Sequence, residues 1–466
     1  MTRIQKSLLS ATIALLCLVG AALALRDATF RYLDSPAFRE RLERAGNAKL
    51  QLNTTISHPL QREGSRLFAS KVSLENNGHP WLKTGRASGL SVTLSFRKLL
   101  SGAWEITDTH CGKLEIEIAP PTTPPSAPES TPAPPPFPAS LLPSKTLWET
   151  ARADTATLVW RDLRIDRTTL SLKKEGLNWR IQLSGGEARF AFLPPFQLRS
   201  ANLSTTPDGT VYIKDAELHS PQGGIVRITG SASPTATKLD VKVQSLPLGE
   251  FLPEAWHSRL HGQADASLTA EFSSNAAPSL RGDVSLAKAS LEGFPFLSTL
   301  DHLVGTAKFR LVPLEAARAR LAWTDGVWSL SALELDSHRV LKIRGDVRIA
   351  RDTLAFKGRL GVAVPTLSFL PNLKLQVFGD PTDGHYWIPL ELQGDHASLV
   401  DSSATTIPLP DLKKLPEAVP ESIELLKKKA AGLFEILGEG VKRLPNLIAP
   451  QSDTPERPRQ TPSENR

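Results

Sequence analysis

Cysteine is almost missing from this chain. Two occur in 466 residues, Cys17 and Cys111. Cys17 lies in an apolar run, which leaves no internal disulfide framework and no cysteine-based zinc site. Stability must come from hydrogen-bonded ladders and burial. Catalytic signatures are missing as well. There is no G-x-S-x-G elbow, no G-x-x-x-x-G-K-[ST] phosphate loop, no G-x-G-x-x-G after a strand and no H-E-x-x-H. Histidines are scattered singly except His257 and His261 in WHSRLHG, an i, i+4 spacing that would set two imidazoles on one helical face. His110-Cys111 places a thiol beside an imidazole. Neither pair has the third group that a metal site or an activated nucleophile requires. The expectation is a protein that is not an enzyme and holds no cofactor or metal. Charge of one sign is not concentrated either: 55 Lys and Arg against 48 Asp and Glu give a net +7, spread thinly. Without a basic stripe interleaved with aromatics, nucleic acid is not an expected partner, and the mild excess favours anionic surfaces in general.

What is present begins with an apolar run. Arg3 and Lys6 precede LLSATIALLCLVGAALAL (8–25), and Arg26-Asp27 closes it. At 1.5 Å per residue this run is roughly 27 Å long as a helix, close to a hydrocarbon core of about 30 Å. Residues 1–26 read as a single-pass anchor in the inner membrane, with the flanking cations holding the N-terminus in the cytoplasm and the bulk of the chain across the membrane. A cleaved signal peptide is the competing reading, because Ala22-Leu23-Ala24 has the small-x-small pattern of a cleavage site.

The rest is dominated by alternation. In ASGLSVTLSFRKLLSGAWEI (87–106), Leu90, Val92, Leu94 and Phe96 alternate with Ser91, Thr93 and Ser95; Leu114, Ile116 and Ile118 then alternate with Lys113, Glu115 and Glu117. This period makes strands with one apolar and one polar face. A short helix is expected over 34–46, capped by Asp34 or Ser35 and ended by Gly46. The strand block closing at 118 (27–118 with that helix) is followed by a Pro-rich spacer over 119–143, which cannot enter a sheet. Alternating strands then resume over 144–405. DGTVYIKDAELHS (208–220) aligns without gaps to DGVWSLSALELDS (325–337), and more loosely VRITGSA (226–232) to LKIRGDV (341–347), pointing to a duplicated β unit. RGDV occurs at 281–284 and 344–347, inside strand-like runs that favour a structural over an adhesive reading. The final region, 406–466, holds one amphipathic helix, 421–444, and a polar tail.

FASKVSLENNGHPWLKTGRASGLSVTLSFRKLLSGAWEITDTHCGKLEIEI (68–118), after an anchor and a short helix, resembles the N-terminal block of the AsmA-like family. LRGDVSLAKASLEGFPFL (280–297), IRGDVRIARDTLAFKGRLGV (343–362) and VFGDPTDGHYWIPLELQGD (377–395) resemble its C-terminal region. The resemblance implies a mainly β protein: an anchor helix, then an elongated antiparallel sheet curled into an open apolar groove. It also implies lipid supply to the outer membrane or envelope biogenesis, with phospholipid acyl chains and envelope proteins as partners. Leu90, Val92, Leu94, Phe96, Leu114, Ile116 and Ile118 are the expected groove-lining residues. The alternative is an envelope scaffold whose sheet closes on itself and carries no lipid.

Overall fold

The computed structural model describes residues 27, 31–32, 34–50, 52–57, 60–77, 82–95, 103–118, 145–160, 162–190, 193–233, 235–252, 254–273, 276–304, 307–350, 353–367 and 380–395. The expected anchor, the Pro-rich spacer, Phe96 and the 421–444 helix all lie outside these residues. Among the described residues no helix is long and apolar enough to cross a membrane.

The protein is mainly β. Helix α1 (Pro36–Leu50) comes first. Ser35 caps it, its Oγ accepting the Phe38 N–H at 3.3 Å. Gly46 does not end it as expected; the helix runs on to Leu50. Five strands follow: β1 (Leu52–Ile56), β2 (Gln61–Glu63), β3 (Arg66–Asn76), β4 (Leu82–Ser95) and β5 (Ala103–Ile118). Beyond the spacer come β6 (Lys145–Trp148), β7 (Thr150–Trp160), β8 (Leu163–Glu175), β9 (Asn178–Ser184), β10 (Glu187–Phe190), β11 (Leu193–Thr205), β12 (Val211–His219), β13 (Ile225–Ala232) and β14 (Ala236–Pro247). A one-turn helix α2 (Glu254–His257) precedes β15 (Leu260–Ser273) and β16 (Ser279–Glu292). Helix α3 (Pro295–Val304) leads to β17 (Leu311–Leu314), β18 (Ala316–Thr324), β19 (Val327–Ser337), β20 (Leu341–Ala350), β21 (Thr353–Ala363) and β22 (His385–Asp395).

All 22 strands belong to one sheet. Almost every pairing joins strands that are neighbours in sequence, from β3–β4 through to β21–β22. At roughly 4.8 Å per strand the ribbon is about 80 Å long. The sheet is mixed rather than wholly antiparallel. At one seam β5 pairs in parallel with β6 and β7, Ala103 opposite Lys145 and Ile118 opposite Trp160. Ile118 and Lys145, the residues flanking the Pro-rich spacer, therefore lie at opposite ends of the same pair of strands, and the sheet continues unbroken through the seam.

Turns alternate between two long rims. One rim carries Gly64, Gly176-Leu177, Pro207 to Gly209, Thr235 and Asp325-Gly326; below it is called the Leu177 rim. The opposite rim carries Asp162, Gly223 and the longer connections at 248–259, 293–310 and 338–340. Both edges of the ribbon are blunted. The β1 edge is met by α1, where Asn47 Oδ1 accepts the Thr54 N–H at 2.8 Å and Glu43 Oε1 the Ile56 N–H at 3.0 Å. On β22, His385 exchanges backbone bonds with Thr382 and so points away from β21. Alternation then turns Trp387, Pro389 and Glu391 to the open side, where proline lacks a donor and the exposed glutamate is charged.

Bulges recur in mid-strand, at Ala153/Ala156 (β7–β8), Ile213/Ala216 (β12–β13), Val243/Leu246 (β14–β15) and Leu330/Leu333 (β19–β20). They bend the strands and raise local twist. Ser245 and Ala332 sit in two of them with φ of 52° and 51°. Their displaced amides donate to carboxylates on adjacent strands, Ser245 N–H to Asp265 at 2.9 Å and Ala332 N–H to Asp346 at 3.0 Å. β12 and β19, the two strands of the gapless sequence repeat, carry the same bulge in the same place. Each also sets a glutamate directly opposite an arginine, Glu217 with Arg227 and Glu334 with Arg344. The looser 226–232 to 341–347 match is displaced by two residues, since Ile228 rather than Gly230 occupies the place of Gly345.

Candidate functional site

Residues directly opposite each other in a ladder share a face, so the registers trace what each face presents. Ala69 is opposite Leu90, which is opposite Cys111, then Ala153, Leu170, Leu183 and Ala201. The row continues through Ala216, Ile228, Val241 and Leu268 to Gly282. It ends with Leu321, Leu330, Val347, Phe356 and Leu392. No polar side chain interrupts it. A second row, from Leu67 and Val92 to Ile349 and Leu354, is interrupted once, by Thr109. The Thr109 hydroxyl accepts a hydrogen bond from the Trp148 indole at 3.0 Å. The other face is polar: Ser91, His110, Arg152, Ser171 and Gln182 form one row, and Lys242, Ser267, Asp283 and Arg320 another.

The apolar face carries the core, while on the polar face Lys242, Ser267, Asp283 and Arg320 line a hollow of about 750 Å³. Ala156, Leu341, Leu360 and Val362 on the apolar face are fully buried, and the few described helices are too short to cover a ribbon of this length. Glycines on that face allow close approach of neighbouring strands. A Cβ at Gly282 would lie 2.0 Å from the Ser267 carbonyl oxygen, and one at Gly345 2.5 Å from that of Lys357. Both belong to RGDV segments, and this steric need accounts for the glycine in each.

Closure is uneven along the length. Near β1, Phe38 of α1 packs on Leu67 and Leu94 and seals the face there. From β5 to β13 the sheet carries one core around Cys111, Ala156, Leu170 and Phe196. At the β22 end, Phe296, Leu297 and Leu300 of α3 fill the space over Ile343, Leu360 and Ile388. Between these cores Leu239, Leu268, Leu280, Leu321 and Leu330 are only half-buried, and none is part of a core cluster. Over this middle stretch the apolar face has no packed cover among the described residues.

The expected groove residues divide accordingly. Leu90 and Leu114 pack together against the Cys111 core. Val92 and Leu94 join the α1 contact instead, so Leu94 is buried under Phe38 and is not an open groove position. Ile116 and Ile118 are half-buried on the same face, opposite Gly85 and Leu82. The open stretch over β14 to β19 escaped sequence reasoning, although the alternation in Leu239, Leu268 and Leu321 was legible.

The two candidate chemical pairs come apart. His110 lies on the polar face, 3.0 Å from Asp154, while Cys111 points to the apolar face, where burial pushes its thiol pKa up. His257 closes α2 and His261 lies in β15, next to Glu292 at 3.6 Å, so no helix carries both. Among the described residues no group of three His, Cys, Asp or Glu side chains is placed to hold a metal.

The polar face holds a dense ionic cluster around Glu334. Glu334 meets Lys342 at 3.0 Å, Arg344 at 3.2 Å and Arg318, and Lys342 also reaches Asp336 at 2.6 Å. These partners, Lys342 first, lower the Glu334 pKa to about 2. A carboxylate held below its unfolded value stabilises the fold above pH ~4.5 and loses that contribution as pH falls toward ~2. Unfolding free energies from urea titrations across this interval are expected to drop, by on the order of 2 kcal/mol from this group. Glu334→Gln should be less stable at neutral pH and show a flatter acid limb; an unchanged limb would count against the cluster.

No family model matches this chain, and no curated protein matches it.

Proposed function

We propose that this is a membrane-anchored, AsmA-like envelope protein that carries phospholipid acyl chains along its apolar trough, with headgroups left in water. The chain's bulk would stand in the periplasm, anchored to the inner membrane by residues 1–26, and serve lipid transfer or outer-membrane biogenesis. The observation that carries the reading is the row from Ala69 to Leu392, free of polar side chains, whose middle stretch has no protein cover among the described residues. Each methylene taken from water there contributes about 0.8 kcal/mol, so an acyl chain gains affinity along the trough without a single deep pocket. Movement along it requires no catalytic residue.

Photo-crosslinkers test this in the full-length protein in cells. Probes replacing Leu268 or Leu321 are expected to capture lipid, and probes at Ser267 or Arg320, one residue away on the polar face, are not. Equal capture from both faces, or none from the apolar one, would refute the proposal and favour the scaffold reading, which the dry α3 core at the β22 end already fits locally.

A further inference from the structure

We infer that the Leu177 rim lies against a lipid bilayer bearing anionic headgroups, so that the trough runs alongside the membrane surface. This goes beyond acyl-chain transfer and does not depend on it. Large exposed apolar side chains are few among the described residues; apart from Leu42 on α1, most of them lie on one rim. Trp148, Tyr212 and Trp328 are all on this rim, as is Leu177, 80% exposed at its hairpin tip. The opposite rim has Leu311. Trp328 pairs with Trp323, ring centroids 6.0 Å apart. Trp and Tyr favour the water–lipid boundary because a flat apolar body and a polar tip suit both sides of it.

Charge supplies the second argument. The β8–β9 tip reads LKKEGLNWR, residues 172–180. Glu175 is paired with Arg180 at 3.1 Å. Lys173 and Lys174 are exposed, and neither has an ion-pair partner among the described residues. The tip therefore presents an apolar point with uncompensated cations behind it, complementary to an anionic interface. Third, both ends of the described chain reach this rim. Asp34, close behind the apolar run that ends at Leu25, is held by Arg62 beside the Gly64 turn at 2.9 Å. Asp395, the end of β22, is opposite Thr353 at the same rim.

The test is depth-dependent quenching in the full-length protein reconstituted into vesicles. Leu177→Cys, Tyr212→Cys, Trp328→Cys and, as reference, Leu311→Cys are each made in a Cys17→Ser background and labelled with an environment-sensitive dye. Cys111 is buried, so its labelling reports any misfolding. On phosphatidylglycerol vesicles containing quencher lipids, dyes at 177, 212 and 328 should be quenched and the dye at 311 should stay in water. Lys173→Gln with Lys174→Gln is expected to reduce the docked-to-free ratio read at 177 by about 30-fold, at roughly fivefold per surface cation. On phosphatidylcholine vesicles the same pair should change little. Equal quenching at 177 and 311, no quenching on the Leu177 rim, or indifference to the lysines would overturn the inference. Because the readout is dye depth, its outcome is separate from whether the trough captures lipid.

Discussion

Gly282→Val is expected to open the sheet between β15 and β16. A side chain there would have to occupy space already held by the Ser267 carbonyl oxygen, 2.0 Å away, and by Leu268 Cα, 2.8 Å away. Backbone cannot rotate aside as a flexible side chain can, so the strands must separate. Overpacking of this kind costs about 3 kcal/mol or more. Hydrogen exchange should show lost protection over residues 260–292, with the distant β20–β22 ladder less affected. Gly249→Ala is the matched control, because a Cβ there has nothing within 4 Å. Protection equal to that of the control would mean that β15 and β16 approach less closely than described.

The second large effect is expected from charge placed in the open trough. Leu280→Asp combined with Leu330→Asp puts two carboxylates on the apolar face where side chains are only half-buried. The fold should persist, since neither leucine belongs to a core cluster. An acyl chain lying there would face unpaired charge, at about 3 kcal/mol or more per contact. Lipid capture by a crosslinker at Leu268 should then fall at least about 100-fold. Undiminished capture would show that lipid reaches Leu268 by some route other than the trough.

Alternation around Leu90, Val92 and Leu94 fixed the strand type and the apolar face before any coordinates, because a period of two needs only local sequence. The helix over Pro36 to Leu50 was legible from its cap, and the β12/β19 duplication from its shared Asp-Gly turn. Three features were not. The parallel seam depends on where the ends of the Pro-rich segment meet the sheet, and a spacer's composition carries no such information. Bulges such as the one at Ser245 and Leu246 are one-residue slips that a loose alternation absorbs. The sealing of Leu94 by Phe38 joins residues far apart in sequence, and the apolar stretch Pro295 to Leu300, expected within a strand region, forms the start of α3. The half-buried stretch of the apolar face lies between such long-range covers, so local alternation could not single it out.

The blunted edges at β1 and β22 have an evolutionary corollary. Edges blunted in this way offer a poor template for another copy of the chain, so a longer ribbon has to come from a longer gene. Growth by inserting one hairpin adds two strands, about 10 Å, and leaves Asp34 and Asp395 on the rim where they began. Relatives of different reach would thus differ in steps of whole hairpins, a quantised ruler rather than a continuous one.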